Sequence, residues 1–299
     1  MHLSAPTQSW LERGRHLTIN GQRIFVHERG ELGSPAIIFI HGFPTSGYDW
    51  RETIDLLADR FRCIALDLPG FGLSDKPVAY SYSLFQQADV VEGLARALGV
   101  EAAHVVSHDM GTSVHTELLA RKHESRLGFT LLTSTFLNGS ILKSMAHLTD
   151  FQRMLETPSR LPEAMQMCAE LLPQYVTGLK QLMARPQVVT DDDAVVMTEL
   201  LAYNDGHRRL PHVYAYVRER YLMQDRWLGA LSSENDPVQL VWALDDPVAV
   251  IEMGRALAEL APKARFTEIP GVGHFLPLES PGSVADAVER ITTQLGAQS

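Results

Sequence analysis

Cysteine is scarce in this chain: its 299 residues include only Cys63 and Cys168, which form no C-x-x-C pair. Two distant cysteines do not build a disulfide framework or a thiolate-rich metal site, so we expect reduced thiols in a cytoplasmic protein. Long hydrophobic runs are also missing, since no apolar stretch approaches the ~18 residues that a membrane-spanning helix needs. Residues 1–20 lack a cationic start followed by an apolar run, so the sequence predicts no signal peptide.

Positive charge is in short supply. Lys and Arg total 26 against 36 Asp and Glu, which gives a formal net charge of −10. Nucleic acids and anionic membrane surfaces attract basic proteins, so this balance argues against both as partners. Apolar residues make up 45% of the chain, which is enough for a large buried core. The chain has no internal repeat, and we expect a globular protein that is a monomer or a homodimer.

Short apolar runs alternate with helical patterns along most of the chain. Runs typical of buried strands occupy residues 36–40, 63–66, 102–106, 129–133, 238–244 and 265–269. Helical spacing occurs at 87–98, 112–122 and 281–295. Asn20-Gly21, between the strand patterns 17–19 and 23–26, is a strong hairpin signal. This alternation predicts an α/β fold with a mostly parallel sheet and helices on both faces.

The strand patterns stop between about residues 138 and 232. Helical patterns at 162–172, 190–203 and 212–222 replace them, and seven of the ten methionines fall in this block. Methionine mostly fills cores, but such a cluster also suits an adaptable apolar lid. We therefore divide the chain into a first core part (1–138), an inserted helical cap (139–232) and a second core part (233–299).

The segment 105–113, Val-Val-Ser-His-Asp-Met-Gly-Thr-Ser, lies between a strand pattern and a helix pattern. It places the small residues Ser107 and Gly111 two positions to either side of Asp109. This spacing matches the nucleophile elbow G-x-Nu-x-G, whose sharp strand-to-helix turn leaves no room for larger neighbours. Ser107 would itself be flanked by Val105 and Asp109, so the pattern favours Asp109 as the nucleophile. The alternative is an aspartate that only caps the following helix.

Two further residues follow late strand patterns. Asp246 lies in Trp-Ala-Leu-Asp-Asp-Pro-Val (242–248), and His274 lies in Gly-Val-Gly-His-Phe-Leu-Pro (271–277). Because ligands bind at the carboxyl ends of parallel strands, we expect Asp109, Asp246 and His274 to meet at that edge of the sheet. Each alone would be an ordinary loop residue, but the order nucleophile, acid, histidine is the α/β-hydrolase order.

At this point the sequence resembles the α/β-hydrolase superfamily over nearly its whole length. Its aspartate nucleophile is similar to that of epoxide hydrolases and haloalkane dehalogenases. The segment 41–44, His-Gly-Phe-Pro, resembles the H-G-x-P loop of those enzymes. The segment 107–111, together with Arg-Trp-Leu-Gly-Ala-Leu at 226–231, is most similar to the mesoderm-specific-transcript-like branch.

The resemblance implies roles for several residues. The main-chain amides of Phe43 and Met110 would form the oxyanion hole, and His41 and Trp50 would contact substrate. Asn138, which ends a strand pattern at the cap junction, would either face the pocket or serve a structural turn. The implied reaction needs no metal or cofactor. Histidines 104, 108 and 115 would suggest a metal, but no cluster of acids or thiols joins them.

The leaving group distinguishes the possible substrates. Haloalkane dehalogenases typically supply a Trp after the nucleophile and often an Asn in H-G-x-P, whereas this chain has Met110 and Phe43, which offer no side-chain donor to a halide. Fluoroacetate-type dehalogenases usually have Arg where Met110 stands. Epoxide hydrolases use cap tyrosines as acids, and Tyr216 is the best match, with Tyr214 as the alternative. Both tyrosines would otherwise be the packed face of an amphipathic helix.

One feature departs from the epoxide hydrolase pattern: residues 138–161 contain no second cap tyrosine. The sequence nevertheless favours hydrolysis of a small apolar epoxide to a diol through an ester on Asp109. The alternatives are a haloalkane dehalogenase and a ligand-binding protein on a hydrolase fold.

Overall fold

A computed structural model describes residues 2–296 as one sheet with helices on both faces and a helical segment at one edge. The sheet has eight strands in the order β1-β2-β4-β3-β5-β6-β7-β8. The strands are β1 (Gly14–Ile19), β2 (Gln22–Arg29), β3 (Ala36–Ile40), β4 (Arg62–Leu66), β5 (Ala102–His108), β6 (Thr130–Leu137), β7 (Val238–Ala243) and β8 (Arg265–Ile269). β2 pairs antiparallel with β1 and β4, and all other pairs are parallel. The predicted α/β fold is confirmed.

The helices fall into those that flank the sheet and those of the insertion between β6 and β7. The first set is α1 (Ala5–Glu12), α2 (Arg51–Leu57), α3 (Leu84–Ala97), α4 (Met110–His123), α12 (Ile251–Leu260), α13 (Leu276–Glu279) and α14 (Pro281–Gly296). The second set is α5 (Asp150–Glu156), α6 (Leu161–Glu170), α7 (Tyr175–Lys180), α8 (Asp191–Ala202), α9 (Leu210–Val213), α10 (Tyr216–Leu222) and α11 (Gln224–Ser232). No helix within residues 2–296 is long and apolar enough to cross a membrane.

The continuous apolar strands form because both faces of the sheet are covered. In β3 all five residues are buried, and successive side chains enter different clusters. Ile38 and Ile40 join the cluster on the side of α3, α4 and the insertion. Ile37 and Phe39 join the cluster formed with α2 and α14. A strand buried on both faces cannot show apolar–polar alternation, which explains the run of apolar letters.

Local sequence signals fix several element boundaries. Asn20 and Gly21 have φ values of 50° and 80°, which the tight hairpin between β1 and β2 requires. Thr190 caps α8 by accepting a hydrogen bond from the Asp193 amide at 3.1 Å, while the Asp193 carboxylate accepts one from the Thr190 amide at 3.0 Å. This capping box agrees with the N-terminus predicted at Thr190.

The prediction of one continuous helix at 212–222 is wrong, because the structure has two helices there. The structure divides it between α9 and α10, because the chain tightens at Tyr214 and Ala215. There the Val217 amide donates to the Tyr214 carbonyl, three residues back instead of four. After this tighter turn Tyr216 starts a new helix, and the Tyr216 and Val217 side chains are buried.

The insertion is fastened to the sheet domain through a buried acid on α4. Glu117 accepts hydrogen bonds from Arg226 Nε at 2.9 Å and Trp227 Nε1 at 3.0 Å, both on α11. It also pairs with Arg121, one turn along its own helix, at 2.9 Å. The Arg-Trp motif at 226–227 is therefore the attachment of the cap segment to the helix that follows β5.

Candidate active site

Asp109 sits in a strained turn between β5 and α4. Its φ and ψ are 48° and −115°, a conformation that a non-glycine residue adopts only when its surroundings hold it there. The Asp109 amide donates to the Leu137 carbonyl at 3.2 Å, and Thr112 Oγ1 donates to the Asp109 carbonyl at 2.6 Å. A Cβ atom on Gly111 would come within 2.5 Å of the Ile40 carbonyl oxygen. The small residue predicted at 111 is thus required by the close approach of β3.

Ser107 lies within β5, and its side chain contacts His115 on α4. Its hydroxyl oxygen lies 2.9 Å from His115 Nδ1 and is fully buried. His115 in turn bonds Ser134 Oγ through its Nε2 atom, at 3.0 Å. Ser107 therefore belongs to a buried polar chain beneath the turn.

The His-Gly-Phe-Pro loop after β3 brings a main-chain donor to Asp109. The Phe43 amide donates to Asp109 Oδ1 at 2.7 Å. A Cβ on Gly42 would lie 2.6 Å from the Asp109 Cβ, so only glycine allows this approach. Met110 is buried at the first position of α4, where main-chain amides have no partner inside the helix. In the described part of the chain, no hydrogen bond joins the Met110 amide to the Asp109 carboxylate.

His41 shapes this loop from within. Its Nδ1 donates to the Gly42 carbonyl at 2.8 Å, and its Nε2 accepts from the Leu68 amide at 3.0 Å. Burial lowers the pKa of His41 to about 4, so the ring is neutral and can accept at Nε2. The structure gives His41 a bracing position between two loops, instead of the substrate contact expected from the sequence.

His274 and Asp246 meet Asp109 at the carboxyl edge of the sheet. His274 Nδ1 lies 2.9 Å from Asp246 Oδ2, and its Nε2 lies 3.7 Å from Asp109 Oδ2. His274, Asp246 and Asp109 are buried, with 3%, 4% and 5% of their surfaces exposed, respectively. The main-chain amides of Val248 and Ala249 donate to Asp246 Oδ1 at 2.7 and 3.0 Å. The sequence therefore predicted correctly which three residues come together.

Asn138 supports Asp246. Its Nδ2 donates to Asp246 Oδ2 at 2.6 Å, and its Oδ1 accepts from the Ala243 amide at 3.2 Å. Its φ of 44° follows the end of β6 and turns the side chain along the sheet edge towards β7. The sequence left a pocket role and a turn role open; the structure places the Asn138 side chain between Asp246 and the end of β7.

The charges of this group depend on one another. Although burial alone would lower it, the carboxylates of Asp246, Asp109 and Glu279 raise the pKa of His274 to about 9. Burial would raise the pKa of Asp246, but His274, Asn138 and the Val248 amide hold it below its usual value. His274 is therefore protonated at neutral pH.

Two residues that the sequence did not indicate hold the His274 loop. His108 Nε2 donates to the His274 carbonyl at 2.8 Å. Burial lowers the pKa of His108 to about 4, so its ring is neutral. Glu279 accepts from the amides of Gly273, Ala184 and Arg185. The Glu279 carboxylate thus ties the His274 loop to the cap segment, a role that no local motif signals.

The cap covers the site with aromatic side chains. The ring centroids of Tyr214 and Tyr216 lie 5.5 and 5.9 Å from that of Phe43. Both tyrosines are buried, and the Tyr214 hydroxyl has no partner among the described residues. Burial, followed by the nearby charge of Asp109, raises the pKa of Tyr216. The structure therefore brings both candidate tyrosines to the Phe43 side of Asp109.

Trp50 does not join this group. Its side chain is fully buried, and its ring centroid lies 5.2 Å from that of Phe39. It belongs to the cluster on the α2 and α14 face, whereas Phe43 and Tyr216 belong to the cluster on the other face. The large aromatic side chain fills the core, so the expected substrate contact is not what the structure gives it.

Within residues 2–296 there is no group of three or more His, Cys, Asp and Glu side chains able to hold a metal ion. The histidines that lie close in sequence have other partners. His104 Nδ1 lies 2.9 Å from Thr133 Oγ1, while His115 bonds two serines as described above. Cys63 and Cys168 are both buried free thiols.

A mostly parallel sheet with a helical insertion after β6, in which the residue of a strand-to-helix elbow meets an acid and a histidine at the carboxyl edge, is the architecture of the α/β-hydrolases. Comparison with known families agrees with this class. Residues 35–281 match the family described as alpha/beta hydrolase fold, and the chain belongs to that family.

Individual relatives agree with the resemblance predicted from the motifs. LipZ of Mycobacterium tuberculosis is 36% identical over 285 residues, which cover 95% of this chain and 97% of that protein. The mesoderm-specific transcript protein of Mus musculus is 34% identical over 252 residues, covering 82% of this chain and 75% of that protein. Solved structures of haloalkane dehalogenases and of an epoxide hydrolase share the fold. One of them, haloalkane dehalogenase DbeA from Bradyrhizobium elkani USDA94, matches with a TM-score of 0.80 at 24% identity, covering 96% of this chain and 99% of that chain.

Proposed function

We propose that this α/β-hydrolase opens epoxides to diols through a covalent ester on Asp109. The observation that carries the proposal is the position of Tyr216. A buried phenol packs on the Phe43 ring and feels the Asp109 charge, while Phe43 and Met110 supply no side-chain donor. An epoxide needs a proton for its oxygen, which a phenol supplies, whereas a halide needs N–H donors around it.

In the first half-reaction Asp109 attacks a carbon of the epoxide ring. A bond forms between that carbon and a carboxylate oxygen, and the ring C–O bond breaks with its electron pair moving onto the oxygen. Tyr216 gives its proton to this oxygen and becomes a phenolate. An ionised carboxylate needs no base for this step, so His274 takes no part in it.

In the second half-reaction water hydrolyses the ester. His274 takes a proton from water as the hydroxide adds to the ester carbonyl carbon, and the amides of Phe43 and Met110 hold the oxyanion. The intermediate collapses by releasing the alkoxide, which takes the proton back from His274. The new Asp109 carboxyl group then returns its proton to the Tyr216 phenolate. Every step uses a side chain, a main-chain amide or water.

The charge state of His274 fits this order. In the resting site the Asp109 carboxylate helps to raise the pKa of His274, so the imidazole is protonated and is not a base. Ester formation removes the Asp109 charge, and the pKa of His274 falls as a result. His274 then gives its proton to solvent water and becomes a base after the covalent step, when the reaction needs one. It takes a proton back from solvent once the Asp109 carboxylate is restored.

The substrate that suits the site is a small, largely apolar epoxide. Phe43, Met110, Tyr214 and Tyr216 are all buried and belong to the same cluster, and both tyrosines pack on Phe43, whose amide contacts Asp109. Their surfaces are apolar apart from the two hydroxyls. Aryl or alkyl epoxides of modest size, such as styrene oxide, match these surfaces.

Parallel assays of styrene oxide and a bromoalkane of similar size test the proposal. We expect diol formation from the epoxide and little or no bromide release. Tyr216→Phe should slow ester formation by roughly 10²–10⁴-fold, the usual contribution of a positioned general acid. Tyr214→Phe tests the alternative acid, since the Tyr214 hydroxyl has no partner among residues 2–296. If Tyr216 is the acid, Tyr214→Phe should slow ester formation far less than Tyr216→Phe does.

Three outcomes contradict the proposal. Bromide release that outruns diol formation would indicate a haloalkane dehalogenase. Unchanged epoxide turnover in a Tyr216→Phe/Tyr214→Phe double variant would remove the assigned acid. Binding of substrates without any turnover would indicate a ligand-binding protein on this fold.

A further inference from the structure

Arg220 is a buried cation that has no acidic partner within the described part of the chain. It lies on α10 and is only 3% exposed. Its Nε donates to Ser113 Oγ at 2.7 Å, and its Nη1 donates to the Ser140 carbonyl at 2.8 Å. Within residues 2–296 no carboxylate lies within ion-pair distance of it, and its Nη2 atom has no hydrogen-bond partner. Both of its partners are neutral, so the charge is held but not neutralised.

Other buried arginines in this protein are paired. Arg62 is 6% exposed and contacts Glu28 at 2.7 Å, and Arg121 is 4% exposed and contacts Glu117 at 2.9 Å. A buried charge is costly unless an opposite charge compensates for it. Arg220 departs from this pattern, which indicates that its guanidinium serves a negative charge that is absent from the resting protein.

The position of Arg220 identifies where that charge arises. Tyr216 and Arg220 are four residues apart on α10, so their side chains share one face of the helix. The Arg220 guanidinium carbon lies 4.9 Å from the centroid of the Tyr216 ring. Ser113, which holds Arg220 Nε, is on the first turn of α4 directly after Asp109. The cation is therefore stacked on the ring of Tyr216, and a serine one turn after Asp109 holds it there.

We propose that Arg220 stabilises the negative charge that ring opening places on the Tyr216 oxygen. In this way it compensates for the second cap tyrosine that residues 138–161 do not contain. The inference rests on the proposed epoxide chemistry. Arg220 is a positioning residue, because it acts through Tyr216 and neither gains nor loses a proton. Its effect is confined to the first half-reaction, since the phenolate forms only there.

The electrostatics of Tyr216 support this role. Burial and the Asp109 charge both disfavour a phenolate and raise the pKa of Tyr216, whereas Arg220 opposes them. Without the guanidinium, proton donation from Tyr216 would leave a buried anion beside Asp109. The Arg220 cation attracts the face of the Tyr216 ring even before the phenol loses its proton. This attraction grows when Tyr216 becomes a phenolate.

Single-turnover kinetics with enzyme in excess over styrene oxide test the proposal, since rapid quenching and mass spectrometry follow ester formation and ester hydrolysis separately. We expect Arg220→Gln to slow ester formation by about 100-fold, comparable with the loss of one oxyanion donor. Ester hydrolysis should change by less than about threefold. Arg218→Gln is the matched control, because Arg218 is exposed on the same helix.

A double-mutant cycle distinguishes action through Tyr216 from a general structural effect. In a Tyr216→Phe background, Arg220→Gln should cause almost no further slowing of ester formation, because no phenolate is left to stabilise. Equal slowing of both half-reactions, the same loss with and without Tyr216, or wild-type ester formation in Arg220→Gln would each overturn the proposal.

Two contingencies keep the test decisive. If Arg220→Gln does not fold, Arg220→Lys takes its place, since the ammonium keeps the charge but cannot stack flat over the ring. The proposal then predicts about three- to tenfold slower ester formation with unchanged hydrolysis, and equal slowing of both steps overturns it. If the wild-type protein opens no epoxide at all, the proposed function is wrong, and so is this inference, which rests on it.

Discussion

His274 Nε2 lies 3.7 Å from Asp109 Oδ2, while its other ring nitrogen is fixed 2.9 Å from Asp246. The first distance is too long for a strong hydrogen bond but short enough for a strong charge–charge interaction. The protonation of His274 therefore depends on whether Asp109 carries a charge. This dependence links the two half-reactions that we propose.

Removing the Asp109 charge should lower the pKa of His274. In the resting protein that pKa is raised to about 9, with Asp246 and Asp109 among the causes. Asp109→Asn keeps the shape of the side chain but removes its charge. The imidazolium form of His274 therefore loses one of the interactions that stabilise it. We expect the pKa to fall by about one pH unit or more, measured by NMR titration of the His274 ring. Asp245→Asn removes an exposed charge beside Asp246 and is the control; an unchanged His274 pKa in Asp109→Asn would refute the coupling.

The same titration carries a prediction about stability. Because the folded-state pKa of His274 lies above the ~6.5 of an unfolded histidine, protonated His274 favours the folded state. This contribution is complete below about pH 6.5 and disappears as the pH rises through about 9. It should therefore be smaller in Asp109→Asn, where the raised pKa is partly lost.

Replacing His274 should separate the two half-reactions. His274→Gln removes the base that activates water but leaves the Asp109 carboxylate, so the ester should form and then accumulate. We expect the intact protein to gain the mass of one epoxide molecule and peptide mapping to locate it on Asp109. A folded variant that consumes no epoxide and gains no mass would mean that His274 acts in the first step, contrary to the proposal.

Asn138 should matter mainly for the second half-reaction. Asn138→Gly removes the amide that donates to Asp246 Oδ2 at 2.6 Å, and glycine accepts the φ of 44° without strain. A hydrogen bond to a charged group contributes about 1.5–3 kcal/mol, so loss of part of it should slow ester hydrolysis by roughly tenfold. Ester formation, measured in the same single-turnover experiment, should be unchanged. Equal slowing of both steps would mean that Asn138 only maintains the fold.

Glu117 should contribute strongly to stability. Its side chain is fully buried between Arg121 on α4 and Arg226 and Trp227 on α11. Glu117→Gln removes the anion that Arg121 and Arg226 share, although Glu92 still contacts Arg121 and Glu124 still contacts Arg226. Breaking a buried ion pair costs about 3–5 kcal/mol, so we expect a loss of up to that size. Urea unfolding at neutral pH should show this loss, while Glu163→Gln, which affects an exposed pair with Arg160, should not change the midpoint. A Glu117→Gln midpoint equal to that of the wild type would show that the network contributes little.

The sheet and the central group of the site could be predicted from the sequence because each is determined locally. Strands buried on both faces appear as continuous apolar runs, and the elbow at Asp109 requires a small residue at 111 because β3 approaches closely there. The positions of Asp246 and His274 follow from their places after strands of the same sheet. A parallel sheet converts order along the chain into proximity at one edge.

Other features depend on contacts between distant segments, which no single stretch of sequence reveals. Trp50 follows the His-Gly-Phe-Pro loop as a substrate-contacting residue would, yet it packs on Phe39 in the core. Asn138 looks equally suited to a pocket or a turn until β7 brings Asp246 beside it. Arg220 had one local signal, its spacing of four residues from Tyr216, but the absence of an acidic partner is visible only in three dimensions.

The central claim, that Asp109 is a covalent nucleophile in epoxide hydrolysis, is tested most directly by one turnover in water enriched in ¹⁸O with enzyme in excess over styrene oxide. Our mechanism predicts that the first diol contains no ¹⁸O, because its second oxygen comes from Asp109. The peptide carrying Asp109 should gain one ¹⁸O atom, located on that residue by fragmentation. A diol that contains ¹⁸O, together with an unlabelled Asp109 peptide, would show that water attacks the epoxide directly and would contradict the account.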